Sequence, residues 1–356
     1  MVATWAPLVP ELKLRLALDD AQLGLMLLGV GGGAFAISPF VGLGVARFGC
    51  RALVLGGGMV FCALLPLLTV LPGVAACAVA LVAFGASVAV MDVAINAQAA
   101  AVEQAAGRKL MSGFHGLFSL GALFGATLIS FALRFGASPF AGALCIALIG
   151  AAVLLSQAPG LLPRAEVTPA RLLLPRGRLA LIGALCFIGF MAEGAVHDWS
   201  AVLLRFSRGQ DAGTAGLGYA AFSVAMTIGR LTGDAVLRRL RPPTVLRWGA
   251  LLSLAGFLLM AAVPTLAAGL AGCVLVGLGL ANVVPVLFSV AARTPGIDPG
   301  VAISAVAAPG YIGLLAGPAL IGLAANLAGL PMALAGAGLL LLAVSAAARI
   351  AEDRNA

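Results

Sequence analysis

Polar and apolar positions in this chain are segregated rather than interleaved. Eleven apolar blocks, at about 22–46, 52–71, 74–100, 113–134, 139–158, 179–202, 214–236, 245–265, 267–292, 299–324 and 330–350, are separated by short polar gaps. A helix needs roughly 20 residues to cross a hydrocarbon core of about 30 Å, and the blocks have that length. A lone segment in lipid must satisfy its own backbone hydrogen bonds, so each block is predicted to be an α-helix. Glycines such as Gly29–Gly33 and Gly277–Gly279 lie inside blocks with no strand before them. They point to close helix packing through small residues rather than to a nucleotide loop. Met1–Asp20 is amphipathic, holds Pro7, Pro10 and five charges, and reads as a loop or surface segment rather than a signal peptide.

Composition removes the soluble alternatives. Of 356 residues 62% are hydrophobic and 10% charged, with a mean hydropathy of +1.13. A soluble domain of this size has no interior large enough to hide so much apolar surface. The net charge of +8 does not point to nucleic acid, because the basic residues sit in the gaps between blocks. One alternating set of gaps, with the C-terminus, holds fifteen lysines and arginines, the other holds five, and Arg230 lies inside a block. The positive-inside rule then places the C-terminus in the cytoplasm of a bacterial-type inner membrane. The six cysteines are scattered, mostly inside apolar blocks, without CxxC spacing, and read as small core residues.

The longest internal gap, 159–178, carries four prolines and four arginines and reads as a cytoplasmic linker between an N-terminal bundle, 1–158, and a C-terminal bundle, 179–356. The bundles echo each other. Gly42-Leu-Gly-Val-Ala-Arg47 with Val54-Leu55 aligns, at a constant offset of 191, with Gly233-Asp-Ala-Val-Leu-Arg238 and Val245-Leu246. Internal duplication of this kind is common among transporters. Six blocks follow the linker and five precede it, so the expectation is a first helix missing upstream, with Met1–Asp20 as the outer loop after it.

Ionisable groups inside a span cost about 2.5–3.5 kcal/mol on insertion scales, so each asks for a reason. Asp92 lies inside the third block, and Asn96 and Glu103 share its helix face. A carboxyl group there suits reversible protonation or substrate contact, or serves as a hydrogen-bonded tie between helices. His115, with Ser112 and Ser119 on its face, fits a proton relay or a gating hydrogen bond near the cytoplasmic end of its span. Glu193, His197 and Ser200 form a second polar stripe in which Glu193 and His197 are candidates for proton coupling or substrate contact, and His197–Trp199 approach the outer interface, where aromatic anchors are common. Asn282 and Tyr311 are single polar groups near the centres of their spans, able to meet a solute or another helix. Arg230 and Asp234, one turn apart, fit an ion pair, and Arg238 beyond them suggests a latch at the inner surface. There is no HExxH, GxSxG or Walker motif, so neither an enzyme nor a metal or cofactor site is expected.

Three segments resemble the major facilitator superfamily, and within it the branch that includes fucose and related sugar permeases. Gly42-Leu-Gly-Val-Ala-Arg-Phe-Gly-Cys-Arg51 looks like that family's basic loop between its second and third helices, with Ala46 where an acidic residue is usual. The resemblance implies a gating role for Arg47 and Arg51. Met91-Asp-Val-Ala-Ile-Asn96 is similar to the branch's fourth-helix pattern, which implies proton coupling at Asp92. Ile228-Gly-Arg-Leu-Thr-Gly233 with Val245-Leu246 looks like the matching eighth-helix segment. The resemblance implies twelve helices in two pseudo-repeated bundles with both ends cytoplasmic. The expected function is secondary active transport of a small polar, sugar-like solute by a proton-coupled monomer that works by alternating access. Two alternatives stand beside it: an exporter of drugs or metabolites, and a non-transporting membrane scaffold or sensor.

Overall fold

The computed structural model describes residues 4–107, 111–163, 174–297 and 299–352, with the side chains of all but positions 111, 112, 115, 116, 119, 234, 299 and 300. Helix is the only regular structure among the described residues. A 3-10 turn, Ala6–Leu8, leads into α1 (Val9–Arg15), followed by α2 (Asp20–Phe48), α3 (Cys50–Leu67), α4 (Val74–Ala106), α5 (Met111–Arg134) and α6 (Pro139–Gln157). Beyond the central segment come α7 (Arg178–Val202), α8 (Ala212–Ala215), α9 (Leu217–Leu231), α10 (Gly233–Arg239) and α11 (Pro242–Ala262). The chain closes with α12 (Leu266–Leu280), α13 (Val283–Ala292), α14 (Pro299–Ala328), α15 (Leu330–Ala346) and a 3-10 stretch, Ala347–Ala351.

All eleven apolar blocks are helical. Among the described residues, nine stretches are long and apolar enough to cross a membrane. The shorter apolar helix Leu120–Arg134 and the interrupted pair α9 and α10 occupy the other two blocks. Large apolar side chains stand open on these helices, such as Leu327 at 88%, Val79 at 71% and Leu43 at 70% exposure. Water would not tolerate such a surface, whereas lipid tails match it. The protein is an all-α integral membrane protein.

The N-terminal segment departs from expectation. It is not a loose surface loop, because Trp5, Leu8, Val9 and Leu12 are all buried. Their spacing of three, four and seven residues lines one helical face. Pro7 and Pro10 lie in the first turns of the 3-10 turn and of α1, where no amide is needed. Trp5 packs on Phe84, which stacks on Phe61. Arg15 donates to the Leu68 carbonyl at 2.7 Å and to the Leu71 carbonyl, tying α1 to the turn between α3 and α4.

The chain divides into two compact units: Met1–Leu18 with Leu25–Pro169, and Asp19–Gly24 with Ala170–Ala356. In the first unit, Val41 and Val45 of α2, Cys50 and Val54 of α3 and Ala94 of α4 form a buried core. Helices α2 and α4 touch backbone to backbone, since a Cβ at Gly33 would overlap the Val82 carbonyl and one at Gly85 the Val30 carbonyl. Arg51 donates to the Leu161 carbonyl at 2.6 Å and the Pro159 carbonyl at 3.0 Å. Buried Gln98 clamps the same segment, accepting from the Leu162 amide at 3.0 Å and donating to its carbonyl at 3.3 Å.

In the second unit, α11 and α12 meet along a ladder of glycines. A Cβ at Gly249 would lie 2.6 Å from the Gly279 carbonyl, and one at Gly256 the same distance from that of Gly272. Both pairs are spaced by seven residues, two helical turns, so the antiparallel helices approach on one face. Trp199 is fully buried in α7 rather than placed at the interface as an anchor. At the short α8, Asp211 accepts from the Thr214 hydroxyl at 2.5 Å and from its amide at 3.0 Å. These bonds hold the Asp211 carboxyl below the usual carboxylate range.

Candidate functional site

Two interrupted helices organise the polar residues of the second unit. The turn at Thr232 separates α9 from α10, and Ala281 with Asn282 separates α12 from α13. The two breaks are neighbours. Asn282 donates its side-chain amide to the Gly229 carbonyl at 3.0 Å, satisfying backbone that a break in lipid would leave unpaired. Close approach is possible because Gly229 and Gly233 have no side chain; a Cβ at Gly229 would lie 2.5 Å from that of Ala281. Asn282 is therefore an interhelical bond at a helix break.

Arg230 follows immediately, in the last turn of α9, and reaches toward α7. Its guanidinium lies 3.4 Å from both carboxylate oxygens of Glu193. The two side chains are 44% and 24% exposed, so the pair is long, symmetric and open. The sequence had offered Asp234 as the Arg230 partner; its side chain lies outside the described ones. One turn along α7 from Glu193, His197 Nδ1 is 2.7 Å from Asp198 Oδ1. The His197 ring stands edge-on to Tyr219 of α9, with centroids 5.0 Å apart. Tyr219 is hydrogen-bonded to Ser223 and lies within electrostatic reach of Glu193, Asp198 and Arg230.

An aromatic group adjoins this stripe on α7. Phe190 stacks on Tyr311 of α14 at 5.5 Å and tilts against Phe288 of α13 at 6.3 Å. Gly310 leaves room for the Phe190 ring, 2.5 Å from where its Cβ would stand. The chain has two tyrosines, and both belong to these groups. Tyr219 and Ser223 were not foreseen; their four-residue spacing on α9, in register with Arg230, was the available signal.

In the first unit, Asp92 lies on an exposed face of α4. Asn96 donates to the Asp92 carbonyl at 2.9 Å and to its Oδ1 at 3.3 Å, so the two act as one local group. The side chain of His115 lies outside the described ones. Arg47 is exposed, with its guanidinium 5.4 Å from the Phe48 ring centroid, while Arg51 is committed to the segment after α6. Arg238 is the penultimate residue of α10. Among the described residues, no three His, Cys, Asp or Glu side chains gather as a metal site.

A bundle of spanning helices with internal breaks and a charged, aromatic stripe defines a multi-pass membrane protein. The Major Facilitator Superfamily family model matches residues 1–296, and the chain belongs to that family. It is 43% identical over 351 residues to an uncharacterised MFS-type transporter of Yersinia pestis, covering 98% of this chain and 91% of that one. Its fold is similar to that of a point variant of the nucleoside transporter NupG, with a TM-score of 0.79, 13% identity and coverage of 97% and 95%. It is also similar to the E. coli fucose:proton symporter FucP, with a TM-score of 0.57, 19% identity and coverage of 99% and 97%.

Proposed function

We propose that the chain is a secondary active transporter that moves a small polar solute across a bacterial inner membrane by alternating access, driven by protons. The observation that carries this reading is the Glu193–Arg230 pair. Two opposite charges inside spanning helices, held at 3.4 Å and partly open, can be separated by a solute that offers hydroxyl or amide groups to each. A tight buried pair would resist such exchange, because separating it leaves uncompensated buried charges at a cost of about 3–5 kcal/mol. The adjoining Phe190 and Tyr311 faces suit the flat or ring-shaped body of a sugar or nucleoside. Two fold neighbours, a nucleoside transporter and a fucose:proton symporter, handle solutes of that class.

Protons enter this reading through Asp92. Its exposed carboxyl, with Asn96 donating to it, can take up and release a proton as solvent access changes. The test is uptake of nucleosides and of fucose into proteoliposomes under an inward proton gradient. Asp92→Asn should retain solute exchange and lose gradient-driven accumulation; accumulation equal to wild type would remove Asp92 from coupling.

Export of an amphiphile is a second reading, supported by one feature. The first unit holds a cavity of about 280 Å³ lined by Phe61, Met91, Phe124, Leu128, Ile149 and other apolar residues. An amphiphilic dye that accumulates in inverted vesicles more slowly when Leu128→Trp fills this cavity would favour export.

A further inference from the structure

A second concave site lies at the loop end of α11, away from the polar stripe. Arg241, Arg247 and Arg349 surround a cavity of about 290 Å³ together with Pro243, Thr244 and Glu352. Three guanidinium groups against one carboxylate leave an excess of two positive charges around one small space. Topology alone does not ask for this. The positive-inside rule is met by arginines spread along loops, whereas here two distant stretches of chain bring theirs to a shared cavity.

The cavity is built rather than incidental. The 3-10 stretch Ala347–Ala351 is pinned by Arg178, which donates to the Ile350 carbonyl at 2.5 Å. Its own Ala348 and Ala351 are buried, which fixes Arg349 and Glu352 relative to α11. Recognition by helix amides is closed off: Pro242 and Pro243 carry no N–H, and the Thr244 and Val245 amides turn back to the Arg241 carbonyl at 2.9 and 3.1 Å. The guanidinium groups therefore do the binding, and the positive end of the α11 dipole adds to their field. Arginine forks match the oxygens of phosphate.

The surroundings indicate where the phosphate comes from. Directly along α11 from Arg247, Trp248 is 64% exposed and Leu252 is 37% exposed. These side chains form an apolar stripe that starts where the cationic cavity ends. An aromatic at that level is typical of the lipid headgroup boundary. We propose that this cavity binds the phosphate of an anionic phospholipid of the cytoplasmic leaflet, with an acyl chain lying along Trp248 and Leu252. The proposal rests on the membrane embedding of α11 and not on the transport reading, so either can fail alone.

The experiment uses the full chain purified in a mild detergent. Thermal stabilisation and native mass spectrometry would be compared for phosphatidylglycerol, phosphatidylcholine and inorganic phosphate. Phosphatidylglycerol should raise the melting temperature and persist as an adduct, and the two other probes should not. The double variant Arg247→Gln with Arg349→Gln should weaken phosphatidylglycerol retention by about tenfold or more. Glu352→Gln removes the competing carboxylate and should strengthen retention, which guards against a double variant that merely folds poorly. Equal stabilisation by phosphatidylcholine, full retention by the double variant, or weaker retention in Glu352→Gln would overturn the proposal. Stabilisation by inorganic phosphate alone would overturn the lipid assignment.

Discussion

Substituting Gly233 by alanine probes the joint between the two broken helices. A Cβ at Gly233 would overlap Asn282 Oδ1 and lie 3.2 Å from its Cγ. The oxygen falls short of ordinary van der Waals separation by more than about 1 Å. Asn282 must then rotate, and its 3.0 Å bond to the Gly229 carbonyl breaks. The lost bond costs about 1–1.5 kcal/mol and the overpacking about 1–3 kcal/mol. The gain in helix propensity from glycine to alanine returns about 1 kcal/mol. The net expectation is a loss of about 1–3 kcal/mol, read as a fall of about 1–4 °C in melting temperature. A thiol-reactive dye suits the assay, because Cys50, Cys62, Cys77, Cys186 and Cys273 are buried and become reactive on unfolding. Asn282→Ala should cost about 1 kcal/mol alone, and adding Gly233→Ala to it should cost nothing further, since the clash is gone. Additive losses in the double variant would refute the reasoning.

The remaining predictions concern other joints of the fold. Trp5→Ala should destabilise by about 3–5 kcal/mol, since the side chain is 3% exposed and packs on Phe84; an unchanged melting temperature would show that the N-terminal segment is not docked. Gly85→Leu should prevent folding, because any side chain there overlaps the Val30 backbone, and recovery of normal amounts of monodisperse protein would contradict the α2–α4 contact. At Asp211 the folded carboxyl titrates below its unfolded value, so its contribution is full above about pH 4 and fades as pH falls through the lower folded value. Melting temperatures of wild type and Asp211→Ala should therefore differ at neutral pH and converge in acid; a gap that widens on acidification would reverse the sign.

The spans were legible because lipid enforces one rule, twenty apolar residues per crossing, on every segment. The glycine clusters were legible for the same reason: helices in lipid associate through close packing. Trp5–Leu12 was missed because two prolines and scattered charge masked a four-residue apolar stripe, although those prolines sit where helices accept them. The partner of Arg230 could not be read from spacing. A single helix favours a neighbour one turn away, such as Asp234, whereas Glu193 is 37 residues distant and arrives through tertiary packing. Asn282 looked equally suited to solute or helix until the break beside Gly229 gave it a backbone carbonyl to satisfy. Tyr219 and Ser223 carry too little charge to stand out in an apolar block, and only the fold brings Tyr219 beside His197.

The central claim is that the charges on α7 and α9 serve solute passage rather than helix cohesion. Counterflow in proteoliposomes loaded with uridine, fucose or xylose separates the two, because it needs no driving gradient and reads binding with translocation. Wild type should exchange at least one of these solutes, and Glu193→Gln and Arg230→Gln should each abolish exchange while remaining folded and monodisperse. Exchange at the wild-type rate in both variants would contradict the account and leave the Glu193–Arg230 pair as a structural tie.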